Sequence, residues 1–226
     1  ARKRGGSSYL YEATVGAGLP VISTLRDLRE TGDKISSVEG IFSGTLAYLF
    51  NVYDGKTPFS QIVKDAKAKG YTEPDPRDDL SGTDFVRKVI ILGREMGLKL
   101  EMKDVKVESL IPAGLEKGSI DDFLNGLPKY DGDMKKRYDA ASARGKVLRY
   151  MGRLTADGKA SVGVVELDRS HAFANIALTD NVVRYATARY NSNPLIVQGP
   201  VAGPAVTAAG VFADLLRVCS YLGASL

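Results

Sequence analysis

The segment Y-T-E-P-D-P-R-D-D-L-S-G-T-D-F-V-R-K at 71–88 carries the side chains best placed to do chemistry. Asp84 and Lys88 are four residues apart, so on a helix they share one face. Phe85, Val89, Leu92 and Met96 recur at helical intervals, and at 100° per residue Lys88 falls beside Ile91 and Leu92, at the edge of that apolar stripe. Partial desolvation favours a neutral amine and a neighbouring carboxylate favours the ammonium. A lysine held between the two can move a proton near neutral pH. The same pair also reads as an ordinary solvated i,i+4 contact, worth about 0.3–0.5 kcal/mol with no chemistry attached. The preceding loop bears on that choice, because Glu73, Asp75, Asp78 and Asp79 repel one another and solubility alone does not require them to cluster. Pro74 and Pro76 fix φ and push Glu73 and Asp75 toward extended conformations, which predicts a stiff, non-helical loop. Ser81 and Asp84 have capping-box spacing, so the helix is predicted to begin where that loop ends.

The elements that must position these groups follow from periodicity and punctuation. A strand is predicted over 9–15, running into Gly16-Ala17-Gly18, with Pro20 then opening an amphipathic helix that stops near Gly32. A strand over 35–41 leads through Ser43-Gly44-Thr45 into a helix reaching Phe50, and another helix over 59–69 ends at Gly70. After the 85–96 helix, 105–110 reads as extended and 133–144 as a charged helix. Strands are predicted over 146–154, 160–167, 182–189 and 195–198, with Asp157-Gly158 as a hairpin turn between the first two. A last helix is predicted over 205–222. The pattern predicts an α+β body: a mixed β-sheet covered on one face by helices.

Composition excludes several classes. At 226 residues with 44% hydrophobic side chains the chain can bury a real core. No stretch approaches the roughly 18 apolar residues of a membrane span, so no membrane role is expected. The net charge of +4 arises largely from Arg2-Lys3-Arg4, while Lys135-Lys136-Arg137 is balanced nearby by acids. Neither run has the aromatic interleaving of a nucleic-acid surface, and no nucleic-acid partner is expected. Cys219 is the only cysteine and His171 the only histidine, which excludes an internal disulfide and the usual zinc sets and points to a reducing, intracellular compartment. No G-x-S-x-G supports a Ser-His-Asp arrangement.

Two glycine turns remain. Val15-Gly16-Ala17-Gly18 resembles the start of a dinucleotide fingerprint, but position 21 is Val21 where G-x-G-x-x-G needs glycine, and Pro20 removes a backbone donor. A turn that tight exposes carbonyls that, with Glu12, could hold a hard monovalent cation. It reads equally as a close backbone crossing. The turn over 199–203 could set a helix N-terminus against an anion or act as a simple cap.

Together, Y-E-A-T-V-G-A-G-L-P at 11–20, G-I-F-S-G-T-L at 40–46, G-Y-T-E-P-D-P-R-D-D-L at 70–80, D-F-V-R-K-V at 84–89 and V-T-A-A-G-V at 206–211 resemble the catalytic part of homoserine dehydrogenase. The segment L-S-G-T-D-F-V-R-K-V-I-I-L-G-R-E is most similar to the dehydrogenase half of bifunctional aspartokinase–homoserine dehydrogenases. The resemblance implies NAD(P)H-dependent interconversion of L-aspartate 4-semialdehyde and L-homoserine, in threonine, methionine and isoleucine biosynthesis. It implies Lys88 as proton donor and acceptor with Asp84 as its partner, and Glu73 on the substrate's amino group. Tyr71, Gly44, Thr45 and Asp79 would line the amino-acid pocket. Glu12 and the backbone oxygens of Val15, Ala17 and Leu19 would hold a monovalent cation, Na or K, and Gly203 would approach the nucleotide, NADP or NAD.

Family members begin with a Rossmann half, and its G-x-G-x-x-G does not occur in these 226 residues. The expectation is therefore a catalytic and dimerisation part, inactive alone: 1–19 ending the nucleotide-binding part, 20–203 the catalytic and dimerisation domain, and 204–226 a helix returning toward the nucleotide. The alternative is a non-catalytic dimerisation and substrate-binding module. A homodimer is expected, with an aspartokinase domain conceivable in the parent chain, in a plastid if the source is plant or algal and otherwise in the cytoplasm.

Overall fold

The computed structural model describes residues 9–201 and 203–223. Arg2-Lys3-Arg4, Ala202 and the outer parts of the expected 1–19 and 204–226 segments lie outside the described residues.

The first element corrects the sequence reading. Residues 9–15 do not form a strand; a helical turn, α1 (Ala13–Gly16), stands there. Alternating Tyr and Leu gave the strand signal, but Glu12 sits 4% exposed with its carboxylate on the amides of Ile22 and Ser23 at 2.6 and 2.9 Å. Those amides open α2 (Val21–Glu30), so Glu12 satisfies donors that a helix N-terminus leaves unpaired. A tertiary cap thus overrides local propensity. Gly32, at φ +81°, ends the α2 region.

Strand β1 (Ile35–Ile41) follows, then α3 (Gly44–Val52), whose N-cap Ser43 accepts from the Leu46 amide at 3.2 Å. Helix α4 (Phe59–Ala68) leads into the acidic segment. That segment is only half the loop expected. Pro76 opens a short helix, α5 (Pro76–Leu80), with Asp75 as N-cap and Asp78 and Asp79 in its first turn. Proline at the first helical position and acids near the N-terminus favour such a turn. Helix α6 (Thr83–Glu95) begins after Gly82 in the left-handed conformation, φ +73°. Ser81 is the C-cap of α5 and its hydroxyl accepts from the Thr83 amide, so the expected Ser81–Asp84 capping box does not form.

The chain continues through β2 (Val105–Val107), α7 (Ile120–Gly126), α8 (Asp131–Ala143), β3 (Lys146–Thr155), β4 (Ala160–Asp168), β5 (Asn181–Thr187), β6 (Leu195–Gly199) and α9 (Pro204–Tyr221). Periodicity had not indicated α7, which starts with a true capping box between Ser119 and Asp122. The strands form one mixed sheet in the order β2-β4-β3-β1-β5-β6, antiparallel except for the β2–β4 pair.

Strand alternation divides the sheet's two faces. Leu148, Tyr150 and Leu154 of β3 join the main core, where Tyr150 lies against Phe50 and Phe85. On the other face, Met151 packs with Ile41, Val182, Phe173 and Ile176 in a smaller cluster. Beneath α6, Gly152 makes the fit: a Cβ there would lie 2.7 Å from Val89 and 3.0 Å from Phe85. That close approach brings the helix carrying Lys88 down onto the sheet.

Candidate active site

Lys88 is anchored at two points. Its ammonium lies 2.8 Å from Asp84 Oδ2 and donates to the Phe42 carbonyl at 2.7 Å. Its side chain is 19% exposed, while that of Asp84 is 60% exposed. An ammonium has three donors, so these contacts fix the amine and leave one N–H for another acceptor. Phe42 is itself buried against Phe85. Periodicity gave the pair and its half-buried position; the Phe42 carbonyl has no sequence signal, because it depends on β1 ending beside α6.

A second network adjoins the first through the turn Phe42-Ser43-Gly44-Thr45. The Thr45 hydroxyl donates to the Tyr71 carbonyl at 2.6 Å, and Asp79 accepts the Glu73 amide at 2.8 Å. Burial raises the Asp79 pKa above the usual 3.8, with Glu73 and Asp78 adding to the rise, against the lowering effect of the Glu73 amide and the nearby Thr45 hydroxyl. The Tyr71 ring rests on Tyr48 with centroids 4.8 Å apart. Gly44 is half-exposed at the start of α3, and a Cβ there would lie 3.4 Å from the Thr179 carbonyl. Glu73 is exposed. Thr45 with Tyr71 and Glu73 with Asp79 are thus two hydrogen-bonded pairs, and Lys88 and Asp84 form the neighbouring group.

The loop carrying Glu73 is clamped by residues the sequence reading did not single out. Arg77 lies 2.6 Å from Asp75 and donates to the Gly118 carbonyl at 3.1 Å, with its guanidinium over Phe123. The Arg77 hydrogen bond lowers the Asp75 pKa against desolvation. From the other side Lys67 donates to the Pro74 carbonyl at 2.6 Å. Helices α4 and α7 thus tie the loop down from two directions. The Asp75–Arg77 spacing was a readable signal; the anchors at Gly118 and Pro74 were not.

A third group lies where the two ends of the described chain meet. Arg217 of α9 reaches Glu12 at 3.2 Å and Asp214 at 2.8 Å, and Asp214 accepts the Glu12 amide at 2.8 Å. A Cβ at Gly210 would lie 2.5 Å from the Ala17 carbonyl, and one at Gly18 would lie 2.5 Å from the Val206 carbonyl. Ala17 has φ +51°, and the Leu19 carbonyl accepts the Val21 amide. Gly203, at φ +104°, opens α9, with Pro204 following. These crossings bring Glu12, Ala17 and Gly18 together with α9. The Glu12 carboxylate already serves two amides and a guanidinium, so the residues as placed do not fit a cation-binding cage.

A family model described as homoserine dehydrogenase matches residues 20–216. The chain is 56% identical over 220 residues to maize bifunctional aspartokinase/homoserine dehydrogenase 2, chloroplastic, covering 96% of this chain and 24% of that protein. It is 47% identical over 233 residues to a homoserine dehydrogenase of Schizosaccharomyces pombe, covering all of this chain and 62% of that protein. Among solved structures, a putative homoserine dehydrogenase of Archaeoglobus fulgidus superposes with a TM-score of 0.74 at 27% identity, over 92% of this chain and 58% of that one. The fold is thus that of a dehydrogenase's α+β part. The chain belongs to the homoserine dehydrogenase family, and it spans about a quarter of its plant relatives' length and about three-fifths of the S. pombe relative's. No helix among the described residues is long and apolar enough to cross a membrane.

Proposed function

We propose that these 226 residues supply the amino-acid-binding and proton-transfer side of the interconversion of L-aspartate 4-semialdehyde and L-homoserine. The observation that carries this is the doubly anchored Lys88 beside the α3 N-terminus and the clamped acidic loop. The amides opening α3 at Gly44 and Thr45 suit the substrate's carboxylate, and Glu73 suits its ammonium. Tyr71 and Asp79 shape the pocket between them.

A nicotinamide cofactor, NADP or NAD, supplies the hydride when bound. Two archaeal homoserine dehydrogenases of the same fold, at 23% and 22% identity, have been solved in complex with NADPH. In this chain Gly203 and the N-terminal amides of α9 are the groups suited to a nucleotide's phosphate, although Pro204 withholds one donor. We place the remaining nucleotide contacts in the part of the relatives' length that this chain does not cover.

As negative charge develops on the aldehyde oxygen, Lys88 delivers a proton from its remaining N–H. Asp84 and the Phe42 carbonyl hold the amine in line, and in the reverse direction the same amine takes the proton from the alcohol. The finer parts of the proposal are the domain limits 1–19, 20–203 and 204–226, a homodimer, and an aspartokinase domain in the parent chain. The last follows the names of the maize and Arabidopsis relatives, which also carry the word chloroplastic. A monovalent cation at Glu12, Val15, Ala17 and Leu19 is not part of this proposal, since Arg217 supplies the positive charge there.

The test is steady-state kinetics of the parent enzyme with Lys88→Ala. The turnover number should collapse with little change in KM, and an unchanged turnover refutes the role. Calorimetry with NADPH on the 226 residues tests the division of labour, which micromolar binding would overturn.

A further inference from the structure

The opposite end of α3 from Gly44 and Thr45 borders a second concave site. At 1.5 Å rise per residue, the nine residues of α3 put it about 12 Å further along the helix. There a cavity of about 310 Å³ opens between the end of α3, the start of β3 and the segment after β4. Lys146, Arg149 and Arg169 are among its lining residues. Asp54 is the one carboxylate among its lining residues, and its Oδ1 already accepts the amides of Lys56 and Thr57.

Arg149 is the physical anomaly. It is 7% exposed, and among the described residues no carboxylate pairs with it. Its guanidinium donates to the carbonyls of Leu148, Phe50 and Phe173 at 2.8, 2.9 and 3.1 Å and to that of Ala174. Four of its five N–H donors are thereby satisfied, but carbonyl dipoles leave the net charge in place, and a buried charge is ordinarily paired. Burial lowers its pKa, and the nearby Arg169 adds to the lowering. Arg169 makes no ion pair among the described residues. Lys146 has only Asp168, at 3.8 Å, with side chains 35% and 74% exposed, an arrangement that contributes little. The amides of Asn51 and Asn175 add polar lining to the same cavity.

We propose that this cavity binds a small tetrahedral oxyanion, inorganic phosphate or a phosphomonoester that fits within it, held by Arg149 from inside and by Lys146 and Arg169 at the mouth. Arg149 keeps one N–H for an oxyanion oxygen, and charge-assisted bonds of this kind are the strong ones. The site uses none of the residues assigned to the reaction and stands independently of it.

The test is titration of the 226-residue chain with inorganic phosphate and, separately, glycerol 3-phosphate at constant ionic strength, read by amide chemical shifts and by Tm. Saturable shifts at Asn51 and Asn175 are expected, with about tenfold or greater weakening in the double variant K146A/R169A. Saturation by only one of the two ligands identifies which form the site takes. Both substituted residues lie at the mouth, and circular dichroism in chloride checks that the variant is folded; R169E serves as a second, exposed-site variant. No saturable shift with either ligand overturns the proposal, as does binding undiminished in both variants.

Discussion

Helix α6 carries a carboxylate–cation contact at each end, and the two are built oppositely. At the C-terminal end Glu95 is 4% exposed, with Arg26 at 3.3 Å, the Tyr11 hydroxyl donating to its carboxylate and Arg29 donating to its backbone carbonyl. Burial pushes the Glu95 pKa up, but the bonds from Tyr11 and Arg26 together outweigh it and hold the carboxyl below its usual 4.5. At the N-terminal end Lys88 keeps a free N–H and its partner Asp84 is mostly exposed. A saturated pair holds a fold together, whereas a proton-transfer pair must stay coordinatively incomplete on the side where substrate arrives. The difference lies in the neighbours: Tyr11 and α2 close over Glu95, while β1 ends just before Phe42 and leaves Lys88 open.

Breaking each end should give opposite phenotypes. Lys88→Ala in the parent enzyme should lower turnover by about 10²–10⁴-fold, the usual worth of a positioned acid or base, while the melting temperature hardly moves. Glu95→Ala should do the reverse, costing on the order of 2–3 kcal/mol because the half-buried Arg26 loses its partner, measured by urea unfolding with per-molecule turnover of the folded fraction retained. The Glu95 contribution has a defined pH window. Its folded pKa lies below the unfolded value, so the stabilisation is complete above about 4.5 and is lost as pH falls through the depressed folded value. If Lys88→Ala unfolds the protein or Glu95→Ala spares it, the contrast fails.

Glu73 tests the substrate side. As an exposed carboxylate on a clamped loop, it should affect binding more than chemistry. Glu73→Gln should raise KM about 10-fold or more through loss of a charge-assisted hydrogen bond. A fall in turnover at unchanged KM would move Glu73 from binding into the chemical step.

Regular elements were readable because they rest on local pattern. The alternation in β1, β3, β4 and β5 and the stripe Phe85, Val89, Leu92 on α6 were enough to place a mixed sheet under helices, and to put Lys88 and Asp84 on one half-buried face. The misreadings have two causes: contacts between residues distant in sequence, and turns too short to show a period. The 9–15 segment alternates like a strand, yet Glu12 is drawn into capping α2 and pairing with Arg217, some 200 residues away. Ser81 and Asp84 have the right spacing for a capping box, but the left-handed Gly82 ends one helix and begins another between them. The Asp75-Pro76 start of α5 was read as part of a non-helical loop, and its five residues were too few for a periodic signal. The Phe42 carbonyl and the Lys67 anchor on Pro74 are backbone contacts, invisible to any reading of side-chain pattern.

The smallest expected effects fall within the acidic loop and sharpen the same contrast between saturated and open groups. Asp75 caps α5 and is paired by Arg77, which holds its pKa down; Ala there should cost about 1 kcal/mol, as loss of a cap does. Its stabilising effect is present above the unfolded value near 3.8 and fades as pH falls through the lower folded value. Asp79 has the opposite sign. Burial raises its folded pKa, so the folded state binds the proton more readily than the unfolded chain and stability attributable to this group increases as pH falls from neutrality toward 3.8. Asp79→Asn keeps an acceptor for the Glu73 amide and removes the desolvated charge, so it should change stability at pH 7 by less than about 0.5 kcal/mol or raise it. Unfolding curves of the two variants across pH 3–7 separate these signs. A steep loss of stability in Asp79→Asn at neutral pH would mean that its charge, like that of Glu95, is part of a saturated pair, and would place it on the structural side of the divide.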